Sequence, residues 1–167
     1  SAKWRGKKAT EGGGVLINQA LHTLDLMLKF AGMPKSIIAH CFNDSLKNVI
    51  DVEDTVCAIL KYCDKSINIY TTISSSFNFP VQIMFRTKKQ TFISQQNSIM
   101  IDEKYYEINN IKNNIKDYWG EGHTRLIIDF YNCVAENTPF EIDFYEGSKV
   151  IKVIEAIYKS NGKEIKM

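Results

Sequence analysis

The sequence predicts an α+β fold: an open, mostly antiparallel β-sheet with helices packed on one face. Helical periodicity occurs at both ends of the 167-residue chain, whereas the alternation typical of strands fills its middle. Hydrophobic residues make up 44% and charged residues 24% of the chain, which suits a globular domain with a substantial core. We interpret residues 3–167 as a single domain and Ser1-Ala2 as an expression scar.

The first helix has the clearest signals and is predicted over about residues 15–31. It follows Gly12-Gly13-Gly14, and Gly32 and Pro34 mark its end. At 100° per residue, four polar side chains of this helix fall within roughly 60° of arc. They are Asn18, His22, Asp25 and Lys29. Apolar residues occupy most of the remaining circumference, so we expect a largely buried helix with one narrow polar stripe.

The middle of the chain is predicted to form strands separated by turns. The strands are expected at residues 35–43, twice within 51–76 on either side of Asp64-Lys65, and at 81–85, 91–94, 99–101 and 105–108. Residues 109–114 are polar and are expected to lead into a loop or short helix. Tyr70, Thr72 and Met84 are predicted on the sheet face away from the helices. Because an apolar face of this kind favours a partner, we expect a homodimer or tetramer through it.

Two more helices are predicted near the C-terminus. One spans about residues 123–136, with apolar side chains facing inward at Leu126, Ile127, Phe130 and Val134. The other spans about residues 146–160, is capped by Gly162 and leads into a last strand at residues 164–167.

Composition argues against several classes of protein. The net charge is only +2, which gives no electrostatic reason to expect nucleic-acid binding. No apolar run approaches the roughly 20 residues that cross a bilayer, so we expect no membrane partner. The four cysteines form no CxxC pair, which favours reduced thiols in a cytoplasmic protein.

The polar stripe of the first helix has two interpretations. Buried polar groups without partners are costly, so these side chains either satisfy one another or line a pocket. His22 and Asp25 are three residues apart, and a histidine exchanges a proton near neutral pH. His40 or His123 could complete a metal site with them, but the spacing does not select one and we predict no metal.

Two shorter patterns also leave alternatives open. His123 follows Gly122 and is either an ordinary residue at a helix start or a pocket-facing side chain beside the aromatic segment Tyr118-Trp119-Gly120. Trp4 and Arg5 form either a surface cation–π pair or a clamp for a phosphate or carboxylate.

Neither glycine-rich stretch is a dinucleotide fingerprint. Gly12-Gly13-Gly14 has no strand before it and lacks GxGxxG spacing, and Gly120-Glu121-Gly122 is followed by Arg125 where a small residue is needed.

Five segments resemble the substrate domain of the glucose–fructose oxidoreductase / inositol dehydrogenase (Gfo/Idh/MocA) family. They are Trp4-Arg5-Gly6, EGGGVLINQALHTLDLMLKFAG, Val52-Glu53-Asp54-Thr55, GHTRLIIDFYNCVAEN and FYEGSKVIKVIEAIYKSNGKEI. Together they cover nearly the whole chain in order, and the Gly-Gly-Gly…His..Asp run is the most specific of them.

The resemblance implies a C-terminal substrate and oligomerisation domain of an NAD- or NADP-dependent oxidoreductase. It implies a sugar, sugar nucleotide or cyclitol substrate that reacts at a secondary alcohol. The family's Rossmann domain and its Glu-Lys-Pro motif are expected to be missing from this chain, together with most cofactor-binding residues. Alone, the chain is therefore expected to be inactive.

The resemblance also assigns roles to individual residues. His22 is similar to the family's catalytic histidine, and Asn18 occupies a position that is often Asp. The resemblance places Trp4 and Arg5 at the outer part of the substrate, and we group Asn18, Asp25 and His123 with them as candidate substrate-binding residues. The alternative from a different class is a non-catalytic oligomerisation or ligand-binding module, in which the polar stripe is a satisfied network.

Overall fold

Four α-helices, one π-helical segment and eight strands make up the part of the chain that the computed structural model describes, residues 4–77, 79–95, 98–107 and 122–167. In chain order they are α1 (Lys8–Glu11), the π-helical segment (Leu16–Ala20), α2 (Leu21–Ala31), β1 (Ser36–Phe42), β2 (Thr55–Lys61), β3 (Ser66–Thr72), β4 (Gln82–Arg86), β5 (Thr91–Gln95), β6 (Ser98–Ile101), β7 (Lys104–Glu107), α3 (Gly122–Glu136), α4 (Phe144–Ser160) and β8 (Ile165–Lys166). The predicted α+β class is confirmed.

The strands form two four-stranded sheets, one in each of two compact units. The first unit comprises Ser1–Phe77 with Ile142–Met167, and the second comprises Asn78–Glu141. Their strand orders are β3-β2-β1-β8 and β4-β5-β6-β7, and every strand pair in the described ranges is antiparallel.

The core of the first unit lies between its sheet and two helices. Helix α4 packs on β1, and α2 packs on α4. Strand β2 shows why the sheet has a buried face: Val56, Ala58 and Leu60 are buried, whereas Cys57 and Ile59 between them are exposed. Burial of a side chain as large as Val56 or Leu60 stabilises the fold by about 1.5–3 kcal/mol. The core residues are Val15, Leu16, Leu24, Leu28, Ile37, Ala39, Val56, Ala58, Leu60, Val150, Val153, Ile154, Ala156 and Ile157.

Helix α4 begins and ends with local caps. The Asp143 carboxylate accepts a hydrogen bond from the Glu146 N–H (2.8 Å), which satisfies one amide at the helix start. Asn161 is the C-cap in the left-handed conformation, so the prediction that Gly162 is the cap is off by one residue.

The outer face of the first sheet carries exposed apolar side chains. Ile59 is 42% exposed and Tyr70 is 71% exposed. The register places Tyr70 opposite Cys57 and Thr72 opposite Thr55, which puts both predicted residues on this face. The placement of Met84 on the same face is wrong, because Met84 lies in β4 of the second sheet.

The π-helical segment and α2 together form the first long helix, residues 16–31, which is close to the predicted extent but less buried than predicted. Gly32 follows it with a positive φ of 73°, and the Gly32 N–H donates to the Leu28 carbonyl (2.8 Å). All four residues of the polar stripe are exposed, but so are Leu26 (42%) and Phe30 (67%). The prediction of a largely buried helix is therefore wrong: the side of α2 opposite its buried residues stays accessible. The buried residues of this helix are Leu16, Leu24, Met27 and Leu28.

The second unit contains the four short predicted strands and α3. Strands β6 and β7 are joined by Asp102 and Glu103, both at positive φ (44° and 71°), as a tight hairpin requires. The four apolar residues of α3 that were predicted to face inward are all exposed, so that prediction is wrong. Amphipathic spacing identifies an apolar side of a helix but does not show whether another element packs on it. The four residues are Leu126, Ile127, Phe130 and Val134. The predicted loop at residues 109–114 lies outside the described ranges.

Candidate functional site

The start of the first long helix is held by the side chain of Glu53, which is distant in sequence. Glu53 Oε2 accepts the Gly14 N–H (2.8 Å) and Oε1 accepts the Leu16 N–H (3.1 Å). The Val15 N–H donates to the main-chain oxygen of Glu53 (3.1 Å). The Glu53 residue is 8% exposed. Three consecutive amides at this helix start thus depend on one residue of the segment before β2.

Tyr158 is a further hydrogen-bond partner of this buried carboxylate. Its hydroxyl donates to Glu53 Oε1 (2.8 Å) from the last turns of α4. Burial of the hydroxyl, together with its hydrogen bond to the carboxylate, raises the pKa of Tyr158 above its ordinary value. Tyr158 therefore stays protonated at neutral pH and acts as a hydrogen-bond donor.

The glycines before the helix allow this contact. A Cβ atom on Gly14 would lie 2.0 Å from the Glu53 carbonyl oxygen, and one on Gly13 would lie 2.0 Å from the Tyr158 hydroxyl. Gly13 and Gly14 are both buried. Their small size is used for close packing against the protein itself, not to surround a phosphate.

Asn18 lies in the π-helical segment, with its amide orientation fixed by the backbone. Its Nδ2 donates to the Gly13 carbonyl (3.0 Å). A carbonyl oxygen only accepts, so the amide nitrogen must face Gly13 and the Asn18 Oδ1 is turned away from it. Asn18 itself is exposed.

His22 and Asp25 lie one and two turns further along the helix. Both residues are exposed, so His22 is not sealed within the core. Among the described residues, no hydrogen bond or ion pair joins the His22 ring to the Asp25 carboxylate. The structure therefore gives no support to an imidazole oriented by Asp25.

Trp4 and Arg5 form a cation–π pair. The Arg5 guanidinium carbon lies 5.4 Å from the centroid of the Trp4 ring, which is the first of the two arrangements the sequence leaves open. Trp4 is 52% exposed, and its carbonyl accepts the Thr10 hydroxyl (2.6 Å). The next residue is also anchored, because the Gly6 carbonyl accepts the Asp51 N–H (2.8 Å).

The segment from Asp51 to Asp54 organises three separate parts of the first unit. The Asp51 carboxylate accepts the Lys8 N–H at the start of α1, next to the Trp4-Arg5-Gly6 turn. Glu53 holds the start of the first long helix. Asp54, 1% exposed, accepts the N–H groups of Ser45 and Leu46, both at 2.9 Å. The contacts of Asp51 and Glu53 fix the backbone of segments that carry or adjoin candidate site residues.

His123 belongs to the second unit, in the first turn of α3, and is exposed. A shallow depression of about 500 Å³ along this helix does not include His123 in its lining. The lining residues are Gly122, Arg125, Leu126, Ile128, Asp129 and Asn132. The aromatic segment at residues 118–120, which suggested a pocket-facing role, lies outside the described ranges.

The described residues contain neither a cluster of metal ligands nor a membrane-spanning helix. In these ranges, no group of three or more His, Cys, Asp or Glu side chains could hold a metal ion. His40 lies on β1, where its ring stacks on Phe42 (centroids 5.9 Å apart). No helix in the same ranges is both long and apolar enough to cross a bilayer.

The roles of Glu53 and Tyr158 were not predicted from the sequence. One signal for them was present: no Ser, Thr, Asp or Asn stands at the N-cap of the first long helix. A helix whose first amides lack a local acceptor needs a remote one. The identity of that acceptor depends on tertiary structure.

Comparison with known proteins gives one family match and many structural ones. Residues 1–167 match the C-terminal α/β domain of an oxidoreductase family. No curated protein matches the chain significantly.

Three similar solved structures illustrate the likeness in fold. An oxidoreductase from Thermotoga maritima has a TM-score of 0.78 and 20% identity, covering 98% of this chain and 47% of its own. The WlbA dehydrogenase from Bordetella pertussis, in complex with NADH and UDP-GlcNAcA, has a TM-score of 0.66 and 24% identity, covering 100% and 49%. A levoglucosan dehydrogenase in complex with NADH and levoglucosan has a TM-score of 0.79 and 17% identity, covering 98% and 53%. The chain spans about half the length of these proteins.

Proposed function

Because the chain belongs to the Gfo/Idh/MocA oxidoreductase family, we propose that it is the substrate domain of an NAD- or NADP-dependent dehydrogenase. The substrate is a sugar, sugar nucleotide or cyclitol that reacts at a secondary alcohol. The match over the whole chain is the observation that carries this proposal. Structures of similar fold are complexes with NADH and a sugar or a sugar nucleotide, which supports the same classes of cofactor and substrate here.

The proposed catalytic residue of this chain is His22. When a secondary alcohol is oxidised its hydroxyl proton must leave, and a neutral imidazole accepts a proton near neutral pH. His22 is exposed on a helix whose backbone is anchored at its start by Glu53. Such an arrangement combines access to substrate with a fixed position.

The remaining candidates are assigned to substrate binding. Asn18 Oδ1, turned away from Gly13, accepts a hydrogen bond from a substrate hydroxyl. Asn18 does not take up the proton, because an amide is not a base at neutral pH. Trp4 and Arg5 bound the outer part of the substrate, and Asp25 binds its polar groups. His123, on the second unit, is a separate candidate for substrate binding.

The nicotinamide supplies the redox chemistry and is held mainly by residues outside this chain. The residues described here orient the alcohol and accept its proton. This chain alone is accordingly expected not to catalyse the reaction.

The proposal is tested in the full-length protein by steady-state kinetics with NAD⁺ or NADP⁺ and two probe alcohols, UDP-GlcNAcA and levoglucosan. We expect His22→Ala to lower kcat by about 100-fold or more, the contribution typical of general acid–base catalysis. The matched control is Gln19→Ala, which removes an exposed polar side chain from the π-helical segment before α2. Its kcat should remain close to wild type.

Two results would count against the proposal. One is near-normal turnover by His22→Ala, which removes His22 from the reaction. The other is the absence of cofactor-dependent oxidation by the wild-type enzyme across a panel of sugars, sugar nucleotides and cyclitols.

We also propose that the outer face of the first sheet forms a homodimer or tetramer interface in the cytoplasm. The exposed Ile59 and Tyr70 support an interface, since they give this face apolar area to bury. The unpaired thiols of the four cysteines support a reducing compartment. A monomer in light scattering of the full-length protein contradicts the interface.

The same surface favours a second candidate function, a non-catalytic oligomerisation module. Kinetics separates the two, because a module of this kind has no turnover that depends on His22.

A further inference from the structure

We propose that Glu53 is a positioning residue for the reaction: its carboxylate fixes the helix start on which the placement of Asn18 and His22 depends. The part of this inference that concerns turnover rests on the proposed function. The part that concerns the helix geometry stands on the contacts of Glu53 alone.

The start of the first long helix depends on Glu53 for its hydrogen-bond acceptors. The amides of Gly14 and Leu16 donate to its two carboxylate oxygens, and no side chain caps the π-helical segment locally. Unsatisfied amides at a buried helix start are costly. A negative charge at a helix N-terminus is favourable, which strengthens this contact further.

The candidate residues Asn18 and His22 follow the amides that Glu53 binds within two turns of the chain. The π-helical segment begins at Leu16, whose amide Glu53 binds, and it contains Asn18. Helix α2 follows directly and carries His22 in its first turn. π-Helical turns change the direction of the side chains that follow and are frequent at functional sites. A shift of the anchored turn would therefore move Asn18 and His22 together.

Glu53 is itself held in place by contacts of its side chain and its backbone. Tyr158 donates to Oε1, and the backbone oxygen of Glu53 accepts the Val15 N–H. The Glu53 backbone also lies so close to Gly14 that no Cβ fits between them. The helix start is consequently joined both to the segment before β2 and to α4.

The neighbouring Asp54 provides a matched control. It is also a buried carboxylate that accepts two backbone amides, those of Ser45 and Leu46. Those amides belong to a loop that carries no candidate site residue. If buried carboxylates here serve stability alone, Glu53→Gln and Asp54→Asn should have similar effects on the folded enzyme.

The experiment uses the full-length enzyme and two readouts, amide hydrogen exchange and kcat per folded molecule. In Glu53→Gln we expect exchange of the amides of residues 14–22 to accelerate about tenfold or more, and kcat to fall about tenfold, equivalent to about 1.4 kcal/mol. KM should rise as well, because Asn18, the proposed substrate-binding residue, moves with His22. In Asp54→Asn the amide oxygen can still accept both N–H groups that Oδ2 accepts, so exchange should accelerate only modestly, at residues 45–46, with kcat nearly unchanged.

Tyr158→Phe is a milder variant in case Glu53→Gln does not fold. It removes one hydrogen bond from Glu53 without creating a cavity, so a smaller loss of kcat in the same direction is expected. In a His22→Ala background, Glu53→Gln should add little further loss of kcat, because its effect on turnover acts through His22.

The outcomes separate this inference from the proposed function. Unchanged exchange at residues 14–22 in Glu53→Gln overturns the positioning role, whatever the activity. Equal losses of kcat in Glu53→Gln and Asp54→Asn overturn it as well. Normal turnover by His22→Ala, in contrast, overturns the role of His22 and leaves the exchange result for Glu53 unaffected.

Discussion

Gly14 and Glu53 approach so closely that a Cβ atom on Gly14 would lie 2.0 Å from the Glu53 carbonyl oxygen and 2.9 Å from its carbonyl carbon. The obstacle is backbone, which cannot rotate away as a side chain can. At the same place the Gly14 N–H donates to the Glu53 carboxylate. The glycine is therefore required for close approach of two chain segments that are 39 residues apart.

Replacing Gly14 by alanine is expected to destabilise the protein strongly. The methyl group must push the helix start away from Glu53 and break the hydrogen bonds between them. We expect the free energy of unfolding to fall by about 3 kcal/mol or more, at the upper end of overpacking effects. Urea denaturation followed by circular dichroism measures this change.

Gly147→Ala is the matched control for that variant. Gly147 lies in the first turn of α4, and a Cβ atom there would meet nothing within 4 Å. Alanine should therefore raise the free energy of unfolding by about 0.5–1 kcal/mol through its better helix propensity. A similar loss in both variants would show that the contact with Glu53 is not the cause.

Local periodicity predicted most elements of this fold. The strand alternation of residues 55–61 and 66–72 and the helical spacing of residues 144–160 are repeated patterns that a single chain segment displays by itself. The end of α2 was also predictable, because Gly32 and Pro34 follow its last residue. The four residues of the predicted polar stripe are each exposed.

Features that depend on distant segments were not predictable in the same way. The division of the strands into two sheets depends on which strands pair, and the π-helical segment differs from an α-helix in hydrogen bonding rather than in composition. Glu53 stands 39 positions from Gly14, so no local window links them. The exposure of Leu126 and Phe130 on α3 likewise depends on what covers the helix, not on its own spacing.

Replacing Asn18 by aspartate tests the amide orientation at the candidate site. In the native protein Asn18 Nδ2 donates to the Gly13 carbonyl (3.0 Å). A carboxylate there would place a charged acceptor against another acceptor, so we expect Asn18→Asp to lower the free energy of unfolding at neutral pH by about 1 kcal/mol or more. Protonation restores a donor, so the loss should shrink as the pH is lowered through the titration of the carboxyl group.

Thermal denaturation of Asn18→Asp between neutral and acidic pH measures this effect. Gln19→Glu is the control, since it makes the same change of charge at the next, exposed position. Should both variants show the same loss of stability and the same pH dependence, the cause is the added charge and not the contact with Gly13.

The thiol of Cys41 is expected to react slowly at neutral pH. Desolvation of the thiol and, to a smaller extent, the nearby Glu53 carboxylate raise the pKa of Cys41 to about 11, although part of the residue reaches solvent. At pH 8 only about one thiol in a thousand is then the reactive thiolate. Alkylation by iodoacetamide, followed by mass spectrometry of the peptide, should accelerate until the pH reaches about 11.

The same pKa shift links Cys41 to stability at alkaline pH. An unfolded cysteine titrates near 8.5, so between that pH and about 11 the folded state binds more protons than the unfolded state. The free energy of unfolding therefore falls as the pH rises through this window, and Cys41→Ser should remove that part of the fall. Because Glu53 contributes to the shift, Glu53→Gln should move the alkylation midpoint of Cys41 to lower pH. A midpoint near 8.5 in the wild-type protein would contradict both the desolvation of the thiol and its proximity to the Glu53 carboxylate.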